Sequence, residues 1–183
     1  MKPNDNPWTT LSVRKVYGNP WLELWEERCL DPSGNPALYG RVSFRSKAVG
    51  IIPIDDAGNT WLVGQYRYCL GQYSWEIPMG GSPHPLPVLE SARRELREET
   101  GLSARRWEQI LFVHISNSVT DEEGYVFTAE ELEQGEPEFE STEKIEMRRL
   151  PLRDAIAMAM SGEMTDALSV TGLLKLAALR GLR

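Results

Sequence analysis

Apolar and polar residues alternate through most of the first 80 positions, a pattern that predicts a series of β-strands. Turn-forming stretches such as DPSGNP at 31–36 separate the apolar runs. The predicted strands lie at 11–17, 21–30, 38–44, 47–54, 61–66 and 75–79. Hairpin turns join the first three strands, so we expect a small antiparallel β unit at the N-terminus.

The hydrophobic period changes to helical spacing after residue 87. Leu89, Ala92 and Leu96 recur three and four residues apart, which predicts a helix that buries this stripe and ends at Gly101. Further strands are predicted at 107–115, 125–129 and 145–150, and helices at 152–160 and 165–179, with Thr165 as the N-cap of the second. This order of elements favours an α/β fold with a mixed sheet between helices. We place the N-terminal unit at 1–45 and the main domain at 46–183.

Composition narrows the class of protein. A net charge of −7 argues against a protein that binds a nucleic-acid backbone, because such proteins carry a basic stripe. Cys29 and Cys69 are too few for a disulfide framework, and no apolar run reaches the roughly 20 residues of a membrane span. The first eight residues lack the apolar segment of a signal peptide. We therefore expect a cytoplasmic protein with no membrane partner.

Three acids on the predicted helix at 88–100 are unusual. Glu95, Glu98 and Glu99 stand at i, i+3 and i+4, so their like charges repel and two of them face the negative end of the helix dipole. A hard divalent cation such as Mg²⁺ would offset the repulsion between these acids by binding them, because clustered carboxylates are its usual ligands. The alternative is a solvated helix face, in which nearby arginines such as Arg93 neutralise the acids.

The stretch from Gly80 to Leu102 resembles the Nudix box, G-x5-E-x7-R-E-U-x-E-E-x-G-U, in which U is a bulky aliphatic residue. The matching positions are Gly80, Arg94, Glu95, Leu96, Glu98, Glu99, Gly101 and Leu102. The first glutamate of the box is replaced by Leu86. In the family that glutamate mainly braces the box arginine, so the replacement affects the support of Arg94 more than the cation site. Glu90, one helical turn before Arg94, is our candidate for a substitute brace.

The resemblance implies a Nudix-type α/β/α sandwich and a metal-dependent hydrolase of nucleoside diphosphates linked to another group. By this similarity the metal, Mg²⁺ or Mn²⁺, is held by Glu95, Glu98, Glu99 and the carbonyl of Met79. The run VGQYRY at 63–68 and WEIP at 75–78 resembles the ADP-ribose and nucleotide-sugar pyrophosphatase branch. Arg67 matches its phosphate-binding arginine, and Glu76 is expected beside it.

The same branch suggests further site residues. Substrate contacts are expected from Trp25 and Arg28 in the N-terminal strands and from Asp121 and Glu122 in the loop at 116–124. The general base is expected in a distant acidic loop, where Glu143 fits the branch's pattern better than Glu140. Glu95 is a third candidate for the base.

These features lead to one main hypothesis and two alternatives. The main hypothesis is Mg²⁺-dependent hydrolysis of a nucleoside diphosphate sugar, ADP-ribose or a relative, to a nucleoside monophosphate and a sugar phosphate. The alternatives are hydrolysis of a dinucleotide or nucleoside triphosphate, and a non-catalytic module that senses nucleotides. The N-terminal strands expose Trp21 and Trp25, which either pack on their own domain or are covered by a second subunit. The branch favours the second arrangement and a homodimer.

Overall fold

A computed structural model describes residues 5–136 and 145–182. The chain divides into two compact units, one formed by Met1–Ser46 with Ser116–Glu122, and the other by Lys47–Ile115 with Glu123–Arg183. Among the described residues no helix is long and apolar enough to cross a membrane.

The first unit is built on a three-stranded antiparallel sheet. Its strands are β1 (Thr9–Gly18), β2 (Leu22–Leu30) and β3 (Pro36–Phe44), in the order β1-β2-β3. The segment Ser116–Glu122 joins this unit through a parallel bridge between Thr120 and Val42. Val42 donates a hydrogen bond to the Val119 carbonyl at 2.9 Å, so the segment extends the pairing of β3.

The second unit contains two sheets. The mixed sheet has the order β7-β4-β9-β8 and comprises β4 (Ser46–Pro53), β7 (Met79–Pro83), β8 (Leu102–His114) and β9 (Glu123–Gln134). Strands β4 and β9 are parallel, whereas β8 and β9 are antiparallel. The other sheet is antiparallel, with the order β10-β5-β6, and comprises β5 (Asn59–Arg67), β6 (Gln72–Glu76) and β10 (Glu146–Pro151).

Helices cover both faces of the mixed sheet because neighbouring residues of a strand point to opposite sides. On one face Val49 and Ile51 pack in a cluster with residues of α1 (Val88–Thr100). On the other face Ile52 belongs to a second cluster, which contains residues of α2 (Leu152–Ser161) and α3 (Ala167–Arg180). The predicted α/β/α sandwich with an N-terminal antiparallel sheet is confirmed.

Some predicted boundaries were wrong. The N-cap of α3 is Asp166 and not Thr165, because the Asp166 carboxylate accepts the Ser169 amide hydrogen bond at 2.8 Å. The strand predicted at 75–79 is two strands, since β6 ends at Glu76 and β7 begins at Met79. Strand β8 starts at Leu102, well before the predicted 107, because Leu102 and Ala104 pack in the cluster beneath α1 while Ser103 and Arg105 are exposed.

Candidate active site

The box helix α1 forms as its pattern predicts. Ala92 and Leu96 are fully buried in the cluster beneath the helix, while Leu89 packs at its edge. Gly101 adopts a left-handed conformation with φ of 71°, and its amide bonds to the Arg97 carbonyl. This is the C-terminal cap that the glycine predicted, and it fixes where the acidic last turn meets β8.

The acids of the box differ in burial. The Glu99 side chain is only 2% exposed, and its Oε2 accepts a hydrogen bond from the Met79 amide at 2.9 Å. Glu95 and Glu98 keep 13% and 21% of their side-chain surface exposed. Glu99 and Glu95 therefore lie at the junction between α1 and the start of β7, and Glu98 is linked to it through Arg94.

Gly80 is required at that junction for steric reasons. A β-carbon at position 80 would overlap all three atoms of the Glu95 carboxylate. The strand can approach the acid only where the residue has no side chain, which accounts physically for the glycine that opens the box. Glu95 is thereby held directly against the backbone of β7.

Arg94 joins the same junction from the helix side. Its Nη2 donates to the Gly81 carbonyl at 2.9 Å and to Glu95 at 2.5 Å, and its Nη1 lies 3.9 Å from Glu98. The predicted brace by Glu90 is wrong, because Glu90 pairs with Arg93 at 3.1 Å. Arg94 points to the loop–strand side of the helix instead, and the Gly81 carbonyl and the box acids hold it there.

The residues fit a divalent cation by their chemistry. Within 5–136 and 145–182, no three His, Cys, Asp or Glu side chains are gathered closely enough to form a metal site. The box nevertheless offers Glu95, Glu98 and Glu99 on one helix face, and carboxylates are the donors that Mg²⁺ and Mn²⁺ prefer. A cation bound there would share Glu95 and Glu98 with the Arg94 guanidinium.

Arg67 and Glu76 form a second charged feature of this unit. The Arg67 Nε donates to both oxygens of Glu76 at 3.0 and 3.1 Å, and Nη2 bonds to Oε2 as well. These hydrogen bonds raise the pKa of Arg67 against the opposing effect of burial, and the charges of Asp166 and Glu99 raise it further. Arg67 therefore lies within electrostatic range of a box acid, where a permanent positive charge can meet a phosphate.

The remaining predicted residues lie elsewhere. In the first unit Trp25 is half-buried, with Lys15 and Arg41 each 5.9 Å from its ring centroid, and Arg28 is exposed. Asp121 bonds to β3, accepting from the Phe44 amide at 3.0 Å and from the Ser43 hydroxyl, and lies 3.5 Å from Arg41.

Glu122, next to Asp121, is half-buried, and its amide donates to the Thr120 hydroxyl at 3.3 Å. The proposed bases Glu140 and Glu143 lie outside the described residues. Sequence reasoning missed Gln65, Ser74 and Asp166, which lie around Arg67. The strand alternation that places Gln65 and Arg67 on one face was the available signal.

Comparisons with known proteins agree with each other on the family and on the fold of this chain. The NUDIX domain family matches residues 44–168. An ADP-ribose pyrophosphatase of Mycobacterium tuberculosis is 34% identical over 93% of this chain and 83% of its own length. An ADP-ribose pyrophosphatase of Bacillus subtilis is 29% identical over 86% of each protein.

More distant similarity extends to another enzyme and to a solved structure. A CMP-5'-(N-acetyl-N-hydroxy-3-aminopropyl)phosphonate hydrolase of Streptomyces rubellomurinus is 26% identical over 96% of this chain and 85% of its own length. The crystal structure of an ADP compounds hydrolase superposes with a TM-score of 0.84 at 22% identity, covering 96% of this chain and 97% of that protein. At that identity the structural match concerns the fold.

Proposed function

The chain belongs to the Nudix family, and from this premise we propose that it hydrolyses the diphosphate bond of a nucleoside diphosphate sugar, ADP-ribose or a close relative. The products are a nucleoside monophosphate and a sugar phosphate. The observation that carries the proposal is the junction of Glu95 and Glu99 with β7, where Glu99 is in electrostatic range of Arg67. Similarity to two ADP-ribose pyrophosphatases supports the choice of substrate.

The cation in this proposal is Mg²⁺ or Mn²⁺, held by Glu95, Glu98, Glu99 and the Met79 carbonyl. When bound, it supplies electrophilic stabilisation of the diphosphate oxygens. The Glu99 carboxylate accepts a hydrogen bond from the Met79 amide, which holds this acid beside the residue whose carbonyl is the fourth proposed ligand. Such fixed placement of donors is what a preorganised site requires.

Different residues of the chain have different roles in the proposed reaction. Arg67, oriented by Glu76, donates hydrogen bonds to a phosphate oxygen of the substrate. A carboxylate takes a proton from water, and the water oxygen forms a bond to one phosphorus while the bridging P–O bond breaks. Glu143 is our proposed base, with Glu140 and Glu95 as alternatives.

The proposal is tested by anion-exchange chromatography, which separates each substrate from its nucleoside monophosphate and other products. ADP-ribose, other nucleoside diphosphate sugars, dinucleotides and nucleoside triphosphates are compared with Mg²⁺, with Mn²⁺ and with chelator. We expect the first class to be hydrolysed fastest and only with a cation. Glu98→Gln should abolish turnover, whereas the exposed Glu163→Gln is the matched control. Preferential cleavage of triphosphates or dinucleotides, or binding without turnover, would contradict the proposal.

We further propose a homodimer formed through the first unit and a cytoplasmic location. Every residue of β1 is exposed, including Leu11, Val13 and Val16, and Trp21 is 72% exposed. A sheet with this much exposed apolar surface is stabilised by a covering partner. Light scattering at micromolar concentration should give twice the mass of one chain, and a monomeric mass would contradict the dimer.

A further inference from the structure

Ser169, a fully buried serine in the first turn of α3, connects that helix to the backbone between Glu76 and Met79. Its hydroxyl accepts a hydrogen bond from the Ile77 amide at 3.1 Å and donates one to the Asp166 carboxylate at 2.8 Å. The Ser169 amide also donates to this carboxylate, at 2.8 Å. The hydroxyl therefore has a donor on one side and an acceptor on the other, which fixes its orientation.

The chain between β6 and the first residue of β7 makes a hydrogen bond at every position. Besides the Ile77 amide, the Pro78 carbonyl accepts from the Ile51 amide at 2.8 Å, and the Met79 amide donates to Glu99 at 2.9 Å. The three partners lie in α3, β4 and α1. Ile77 is fully buried, so water does not replace the bond from its amide to α3.

Packed side chains hold the start of α3 against the same part of the chain. A β-carbon at Gly50 of β4 would lie 2.8 Å from Ile77 Cδ1 and 3.2 Å from Leu168 Cδ2, so both side chains reach the strand backbone there. Leu168, the residue before Ser169, belongs to the same buried cluster as Ile77. The hydrogen bond from Ile77 to Ser169 therefore lies in a closely packed region, where a backbone shift is resisted.

The proposed reaction uses residues at both ends of this short stretch. At one end Glu76 accepts hydrogen bonds from Arg67 at 3.0 and 3.1 Å and so orients the proposed phosphate-binding group. At the other end the Met79 carbonyl is a proposed cation ligand, and the Met79 amide holds Glu99. Ile77 lies between the two ends, so a shift of its backbone displaces both sets of groups. Small displacements of positioned groups are costly in a preorganised site.

We propose that Ser169 is a positioning residue, which sets the backbone between β6 and β7 so that the Met79 carbonyl meets the cation at a fixed distance from Arg67. The inference rests on the proposed function and extends it to α3, a helix outside the Nudix box. Asp166 assists by accepting the hydroxyl hydrogen, which leaves the Ser169 oxygen to accept from the Ile77 amide. Hydrogen bonds that orient metal ligands from outside contribute to metal affinity.

The test measures binding of Mn²⁺ alone, from the electron paramagnetic resonance signal of the free ion. Ser169→Ala should weaken Mn²⁺ binding about 3- to 10-fold, the effect of one hydrogen bond. Thr171→Ala is the matched control, because Thr171 is exposed and its hydroxyl donates to a carbonyl of its own helix at 2.6 Å. Leu176→Val opens space in the core beneath the same helix. It should lower the urea midpoint of unfolding and leave Mn²⁺ binding unchanged.

A second pair of variants tests the same hydrogen bonds through Asp166 and keeps the inference testable if Ser169→Ala does not fold. Asp166→Ala removes the acceptor of the Ser169 hydroxyl and should weaken Mn²⁺ binding about 2- to 3-fold. Asp166→Asn removes the charge but keeps a side-chain acceptor and an N-cap, and it should bind Mn²⁺ like the unaltered protein. Equal losses from the two variants would assign the effect to the charge and overturn the inference.

Other results separate this inference from the proposed function. Unchanged Mn²⁺ binding in folded Ser169→Ala would overturn the positioning role even if the unaltered protein hydrolyses ADP-ribose. A loss in Leu176→Val as large as that in Ser169→Ala would show a general effect of destabilisation and would also overturn it. Weaker Mn²⁺ binding in Ser169→Ala, with no hydrolysis of any nucleotide by the unaltered protein, would support the positioning role and refute the proposed function.

Discussion

Replacing Arg67 should destabilise the fold more than replacing Glu76, although either change breaks the ion pair between them. The Glu76 side chain is 2% exposed, whereas 35% of the Arg67 side chain is exposed. Arg67→Met therefore leaves a buried carboxylate without its counter-ion, at a cost of about 3 kcal/mol, the lower end of the range for such pairs. Glu76→Gln leaves a guanidinium that still reaches water and keeps one acceptor. It should cost only about 1 to 2 kcal/mol.

Urea unfolding followed by tryptophan fluorescence at neutral pH measures both effects. With a slope of about 2 kcal/mol/M, the midpoint should fall by roughly 1.5 M for Arg67→Met and by about 0.5 to 1 M for Glu76→Gln. The double variant should be more stable than Arg67→Met alone, because no buried charge remains. The exposed pair of Arg93 and Glu90 is the control, and breaking it should change stability by less than about 1 kcal/mol. Equal losses for the two single variants, or a double loss equal to their sum, would refute this reasoning.

Four further predictions concern catalysis and pH. Glu99→Gln should lower turnover by orders of magnitude while urea unfolding shows a folded protein; near-normal activity with Mg²⁺ would contradict the metal assignment. Glu143→Gln should lower kcat strongly with little change in KM and Glu140→Gln should be mild; steady-state kinetics showing the reverse would move the base to Glu140. Leu86→Glu should change kcat little across a Mg²⁺ titration, because the Gly81 carbonyl and Glu95 already hold Arg94; a large gain at low Mg²⁺ would show a missing ligand. Burial raises the pKa of Asp55, but hydrogen bonds from Arg149 and Asn59 outweigh this effect and hold the pKa at about 2. The ionised carboxylate therefore stabilises the fold above pH 4, by at most about 2 kcal/mol, and this stabilisation disappears as the pH falls toward 2. The urea midpoints of Asp55→Asn and of the unaltered protein should converge at pH 2, and a constant difference would contradict this prediction.

Local patterns in the sequence were sufficient for the family and for most elements of the fold. The apolar stripe of α1 and its terminal glycine predicted that helix with its C-cap, because helix periodicity and capping depend on neighbouring residues. The spacing of Glu95, Glu98 and Glu99 left a cation site and a solvated helix face open, and the resemblance of the stretch from Gly80 to Leu102 to the Nudix box favoured the cation site. The start of β8 was missed because it depends on pairing with β9, from Leu102 opposite Gln134 onward, and these partners are far apart in the chain.

The surroundings of the site residues depended on tertiary structure. Arg94 had an acid one turn away in sequence, yet it bonds to the Gly81 carbonyl, since strand β7 lies beside that face of the helix. Asp121 was predicted to contact the substrate, but its carboxylate accepts hydrogen bonds from the Phe44 amide and the Ser43 hydroxyl of β3. Ser74 and Asp166 line one cleft although 92 residues separate them, a proximity that only packing of α3 against the strands creates. Side-chain partners of this kind are set by long-range contacts, which no local pattern of residues encodes.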